Sequence, residues 1–294
     1  MNDYRRGAEV ARPNALSDVL VIARLALQEA VRRRVLTVVG ILTLLSGGLY
    51  LVGCLSLKQN VGGILDTETI KPIVPATLLG LASFSTLFLG SVLSVFLTAS
   101  AVRGDVDRGL VQPLVVRPVG RNAYLGGRAL AAAVVSCSYV LIVSVFATIV
   151  TRLIFDNLPP SAWQVVPRLV VGVLVVTSLT MLVSCMLSTV ATGISVLMAY
   201  GAGLIAGVLG QIGQSLNAHT LAHIAQVVSW LLPFEGMYRD ALQKLSPSGP
   251  LGQLVQLGPL GGANSGGIGL WVFTAAYIVA CGLLASWRFG KADL

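Results

Sequence analysis

Two histidines one helical turn apart, in the stretch HTLAH at 219–223, are the closest approach to a metal site in this chain. A zincin pair carries a glutamate directly after the first histidine to act as general base, and Thr220 stands there instead. Two imidazoles without a third ligand make a poor centre, so His219 and His223 read as polar residues of a surface helix. LSGG at 45–48 matches the opening of an ATPase signature, but it lies inside an apolar run that no nucleotide reaches. A phosphate-cradling G-x-x-x-x-G-K-[ST] loop is missing, and FGKAD at 289–293 lacks both the first glycine and the hydroxyl residue. Cys54, Cys137, Cys185 and Cys281 all sit in apolar runs with no C-x-x-C spacing, which argues for packing roles over zinc or disulfides. The expectation is a chain with no catalytic residue, no metal and no bound cofactor.

What remains is a charged island, VRGDVDRGLVQPLVVRPVGRNAYLGGR at 102–128, set between two long uncharged stretches. Asp105 and Arg108 pair at i, i+3 if the preceding helix runs on to about Gly109. Pro113 disfavours helix at Gln112, and Pro118 pushes Arg117 toward an extended conformation. The spacing predicts an elbow: a helix end, an apolar ridge Leu110–Val116, a sharp turn and a return into the next apolar run. The plainer reading is an ordinary loop whose arginines stop translocation.

The elements that hold this island are apolar. Of the 294 residues 55% are hydrophobic and 11% are charged, against about 25% charged in a soluble domain. Runs long enough to cross a hydrocarbon core of about 30 Å recur, and in lipid only helices satisfy their own backbone groups. Six spans are expected, at Val35–Leu55, Pro75–Val102, Ala129–Thr151, Leu169–Leu187, Ile194–Ile212 and Gly267–Trp287, in one all-α domain over 1–294. No Asp, Glu, Lys or Arg falls within these spans. Ion-coupled carriers keep such groups at membrane depth, so a self-powered carrier and an intramembrane enzyme are both disfavoured.

The net charge of +8 is carried mainly by arginines flanking apolar runs, so it points to bilayer orientation and not to nucleic acid. With the N-terminus cytoplasmic, fourteen of the 20 Lys and Arg fall on the inner side. Both termini and the 103–128 loop then face the cytoplasm. In the leader 1–34, Leu16, Val19, Leu20, Ala23, Leu27 and Ala30 recur at helical spacing, with Arg24, Gln28 and Arg32 on another face. That predicts an amphipathic helix over Leu16–Arg34 lying on the inner membrane surface. Between spans five and six, 213–266 reads as an outer-side segment: an interfacial helix broken at Pro233, a short helix over Gly236–Leu245 and a Gly/Pro/Ser-rich connection. Were 213–232 a further span, the C-terminus would move outside, against the charge bias. In the fifth span, Gly203 and Gly207 form G-x-x-x-G, a face for close helix packing within the chain or with a second subunit.

The island resembles the first cytoplasmic loop of ABC-exporter permeases of the type-two class, which includes sodium-efflux, multidrug and nitrous-oxide-reductase-maturation permeases. Asp105, Gly109, Leu114, Pro118, Arg121 and Gly126/Gly127 match that loop residue by residue, and ALQEAVRRRVL, with Glu29, Arg33 and Arg34, is similar to the family's approach to its first span. Asp105 stands where Glu is usual, Gly120 where Ser is common and Arg128 where Lys is common, and Pro113 is an added break. These departures bear on the subfamily and its substrate. The resemblance implies a permease that binds no ATP itself, pairs with a second permease chain in the cell membrane, and docks a separate ATP-binding subunit that carries ATP and Mg. It implies that Asp105 and Arg121 fix the elbow, and that Leu110, Val111 and Leu114 supply its apolar contact. A self-contained carrier or channel, and a membrane scaffold or assembly protein, are the alternatives.

Overall fold

The computed structural model describes residues 15–31, 34–65, 73–99, 121–156, 159, 161–216, 219–245 and 266–291. Among them the secondary structure is helical, with no strand. Helix α1 is Ala15–Val31, α2 Arg34–Leu65, α3 Ile73–Ala99 and α4 Arg121–Phe155. A short 3₁₀ turn at Ala162–Gln164 leads into α5 at Val165–Ser184, followed by α6 at Thr189–Ser215. Helices α7 (His219–Leu231) and α8 (Pro233–Leu245) form a bent pair, and α9 is Gly267–Lys291. Six of these, α2 to α6 and α9, are long and apolar enough to cross a membrane.

The spans fall where the hydropathy pattern places them, but most of the helices run further. α4 begins at Arg121 and ends at Phe155, so 121–128 is helix and not the end of a loop. At 1.5 Å per residue its 35 residues reach about 50 Å, well beyond the hydrocarbon core. Composition marks only the part of a helix that lipid surrounds. α5 likewise begins four residues before the expected Leu169, which places Arg168 inside the helix and inside a candidate span.

α3 and α5 make the centre. Ser94 and Thr177 join them by a 2.7 Å hydrogen bond, while Leu87, Leu93, Val173 and Val175 are fully buried. At one end, Ala30 of α1 and Val39 of α2 pack on Leu93, Leu97 and Ala132. Beside them Leu125, Met181, Ala285 and Phe289 close α4, α5 and α9 together. At the opposite end, Tyr238, Ala241, Leu242 and Leu245 of α8 pack on the beginnings of α3 and α5.

Candidate functional site

The α1 end is built on glycine. A Cβ at Gly127 would come within 2.7 Å of the Ile22 side chain and 3.0 Å of the Val19 carbonyl, so the backbones of α1 and α4 meet there. Such an approach needs small partners on both sides, and α1 supplies Ala23, Ala26 and Ala30, all buried. Leu20, Val21 and Leu25 point away and are exposed. The stripe expected from hydropathy is thus divided: its alanines pack, while Leu20 faces outward. Glu29 and Arg128 clamp the contact with a 2.6 Å ion pair, and the Arg128 guanidinium lies 5.8 Å from the Tyr124 ring centre.

This clamp grips the first two turns of α4, directly after the 102–120 island. Arg121 opens α4. Asp105, Gly109, Leu110, Val111, Leu114 and Pro118 lie outside the described residues, as does Arg33. Arg34 begins α2 and is exposed. The structure therefore brings together Glu29 and the helix that Arg121 starts, and leaves the elbow itself undescribed.

The α8 end carries charge that sequence reasoning left on the surface. Pro233 ends the α7 helix and opens α8, a position where a missing N–H costs nothing. Glu235 and Arg239, one turn apart, form an ion pair with both side chains nearly buried. Asp240 takes a 2.5 Å bond from Arg168 Nε, with side-chain exposures of 6% and 11%. Arg168 also donates to the Gln164 carbonyl at 2.6 Å and lies 5.7 Å from the Trp271 ring centre. Burial raises the Glu235 carboxyl above the ordinary 4.5, with Arg239 opposing it, and burial also pushes the Tyr238 phenol up.

Gly203 and Gly207 seat this helix. A Cβ at Gly203 would stand 2.7 Å from the Phe234 ring, and one at Gly207 would overlap the Glu235 carboxylate. Phe234 in turn stacks on Tyr200, centroids 4.7 Å apart. The small-residue face of α6 therefore receives α8 of the same chain. The i, i+4 spacing of Glu235 and Arg239 is visible in PFEGMYRDALQKL. The Arg168–Asp240 pair spans 72 positions, and nothing local announces it.

Cys54, Cys137, Cys185 and Cys281 are free. His223 is exposed, and among the described residues no three His, Cys, Asp or Glu side chains gather as a metal site. Gly47 and Gly48 of LSGG lie on α2 with nothing near a would-be Cβ. They line a cleft and offer no phosphate cradle.

No curated protein matches the sequence. Residues 20–294, which take in most of α1 and every later helix, match the model of a family described as ABC-2 family transporter protein. With six membrane-crossing helices and that match over nearly its whole length, the chain belongs to the ABC-2 transporter family and is a multi-pass membrane permease, the transmembrane component of an ABC transporter without a nucleotide site of its own.

Proposed function

We propose that the chain is one permease subunit of an ATP-driven exporter in the plasma or inner membrane, with both termini cytoplasmic. A separate ATP-binding subunit, carrying ATP and Mg, docks on the 103–120 segment, and two permease chains pair around the path. Closure of the ATPases draws these segments together and alternates an inward-facing with an outward-facing state. Such coupling requires the partner to bind one state better than the other. Asp105 and Arg121 hold the elbow; Gly109 and Pro118 shape it; Leu110, Val111 and Leu114 meet the ATPase.

The observation that carries this reading is the clamp between α1 and the start of α4 at Gly127 and Glu29–Arg128. A force applied at 103–120 enters α4 at Arg121 and meets α1 within two turns. α1, with Leu20, Val21 and Leu25 exposed, lies along the inner membrane surface as a lever rest. The sequence resemblance of 105–127 to permease coupling loops points the same way. The spans carry few charges, and those fall toward their ends, which suits an apolar or amphipathic cargo.

The buried Arg168–Asp240 and Glu235–Arg239 pairs are what a self-contained ion-coupled carrier would also possess. Here each charge meets its opposite at the end of the bundle, whereas a coupling group must be free to change charge at membrane depth. The pairs therefore favour a structural role.

Copurification tests the proposal. The tagged chain, taken from its own cells in mild detergent, retains an ATP-binding subunit. Asp105→Lys/Arg121→Glu loses that subunit at unchanged membrane level. Recovery of the wild-type chain without any ATPase under several gentle conditions would contradict the proposal.

A further inference from the structure

Between α2, α3 and α4 lies a cleft of about 410 Å³, within the size range of small-molecule sites. Hydrogen bonds hang α2 on α4 along its length. Thr43 Oγ1 meets the Tyr139 hydroxyl at 2.6 Å, and Tyr50 Oη meets Thr151 Oγ1 at 2.5 Å. Between these two props α2 presents Gly47 and Gly48, and the missing side chains leave the space open. Leu44, Leu51, Ile142 and Phe146 give the cleft apolar walls.

One wall is not apolar. Ser46, Ser85 and Thr86 line the cleft, and each donates its proton to a carbonyl of its own helix, so each oxygen still offers lone pairs. Behind Thr86, sharing Ala82, Thr86 and Ala147 with the cleft, is a chamber of about 10 Å³ that Ser144 lines. This volume suits about one hydroxyl-sized group. Ser144 is 5% exposed, and its Oγ finds no hydrogen-bond partner among the described residues. A hydrogen-bonding group orphaned next to an apolar cleft asks for a neutral polar partner. No Asp, Glu, Lys, Arg or His lines either space, and an ion would enter without compensation.

We propose that this cleft binds one uncharged amphipathic molecule, an alkyl chain bearing a hydroxyl or amide, with the chain between α2 and α4 and the polar group toward Thr86 and Ser144. The cleft stands on α2, α3 and α4, and the chamber behind it is closed by Ala162, Val165, Val166 and Leu245; neither needs an ATPase, so the site is tested apart from the export reading.

The probe is a monoacylglycerol carrying a diazirine in its chain, photolysed with the purified full chain in phosphatidylcholine nanodiscs. Labels concentrate on 43–51, 82–86 and 142–147. Unlabelled monoacylglycerol displaces them, and the fatty-acid anion of equal length does not. Gly48→Leu, which fills the cleft, weakens labelling about tenfold, while Gly201→Leu, at another open helix position, leaves it intact. Ser144→Ala adds no volume and keeps the proposal testable if Gly48→Leu fails to fold. It weakens the monoacylglycerol and spares a diazirine-bearing alkene of the same length. Labelling spread evenly over exposed helix faces would mean bilayer lipid alone occupies the cleft. Equal displacement by the anion, or equal loss of both probes in Ser144→Ala, would also overturn the proposal.

Discussion

α2 is a 32-residue helix, apolar enough to cross a membrane, yet Leu44 and Leu49 are 77% and 75% exposed. α8 carries Glu235, Arg239, Asp240 and Lys244 within 13 residues, yet Phe234, Met237 and Ala241 are among the most buried side chains in the molecule. In a soluble protein the two would exchange places. In lipid an apolar side chain gains little by leaving the tails for protein, so hydropathy does not say which helix is central. Polar groups must find partners wherever they leave water. α8 is drawn in by its pairs and by glycine-made room, and α2 is held by hydroxyl contacts and one lysine. That lysine, Lys58, bonds the Ile154 carbonyl at 2.5 Å.

The hold on α8 is most vulnerable at the Arg168–Asp240 pair. Removing one partner leaves a buried charge uncompensated, so Arg168→Ala or Asp240→Ala should cost about 3–5 kcal/mol, read as a fall in the thermal unfolding midpoint in detergent. Arg168→Met/Asp240→Leu, which removes both charges, should recover most of that loss. Equal damage from single and double variants would mean that the pair does not hold α8.

Glycines sharpen the contrast. Gly203→Ala, pressed against the Phe234 ring, should destabilise by about 1–3 kcal/mol. Gly47→Ala on α2 meets nothing within 4 Å and should be neutral or stabilise by up to about 1 kcal/mol, since alanine is the better helix former. The same pair of unfolding curves reads both. If Gly203→Ala is as harmless as Gly47→Ala, α6 and α8 are not in close contact.

On α2 the props are weak singly. Tyr50→Phe removes its bond to Thr151, and such interhelical bonds in membranes average about 0.6 kcal/mol. A small fall in midpoint is therefore expected, with more rapid hydrogen exchange of α2 than of α8.

The smallest effect concerns protons. Because burial raises the Glu235 carboxyl above 4.5, the folded chain takes up its proton before the unfolded chain does. The resulting stabilisation is fully present below the unfolded value and is lost as pH rises through the folded value. Wild type should therefore gain slightly in stability relative to Glu235→Gln as pH falls toward 4.5. Parallel pH profiles for the two would contradict it.

Span number and helical class were legible because an uncharged run of some 20 residues has few other uses in water or lipid. The break at Pro233 was legible for the same local reason, a missing N–H. Helix ends were not: Arg121–Arg128 looks like loop by charge, yet it forms the first two turns of α4. Gly203 and Gly207 could be read as a packing face, but their partner could not be named, because Phe234 and Glu235 lie about 30 residues on. Arg168 looked like a flanking charge, and only the return of α8 brings Asp240 to it.

On the proposed reading this chain is moved from outside itself, through the 103–120 segment, and ATP hydrolysis in nanodiscs reads that coupling. The chain alone should hydrolyse none, and the chain with its copurifying subunit should hydrolyse ATP. Glu29→Ala/Arg128→Ala should leave subunit binding in place and alter the hydrolysis rate, because only the clamp to α1 is lost. Hydrolysis by the chain alone, or a rate indifferent to the clamp in an intact complex, would contradict the account.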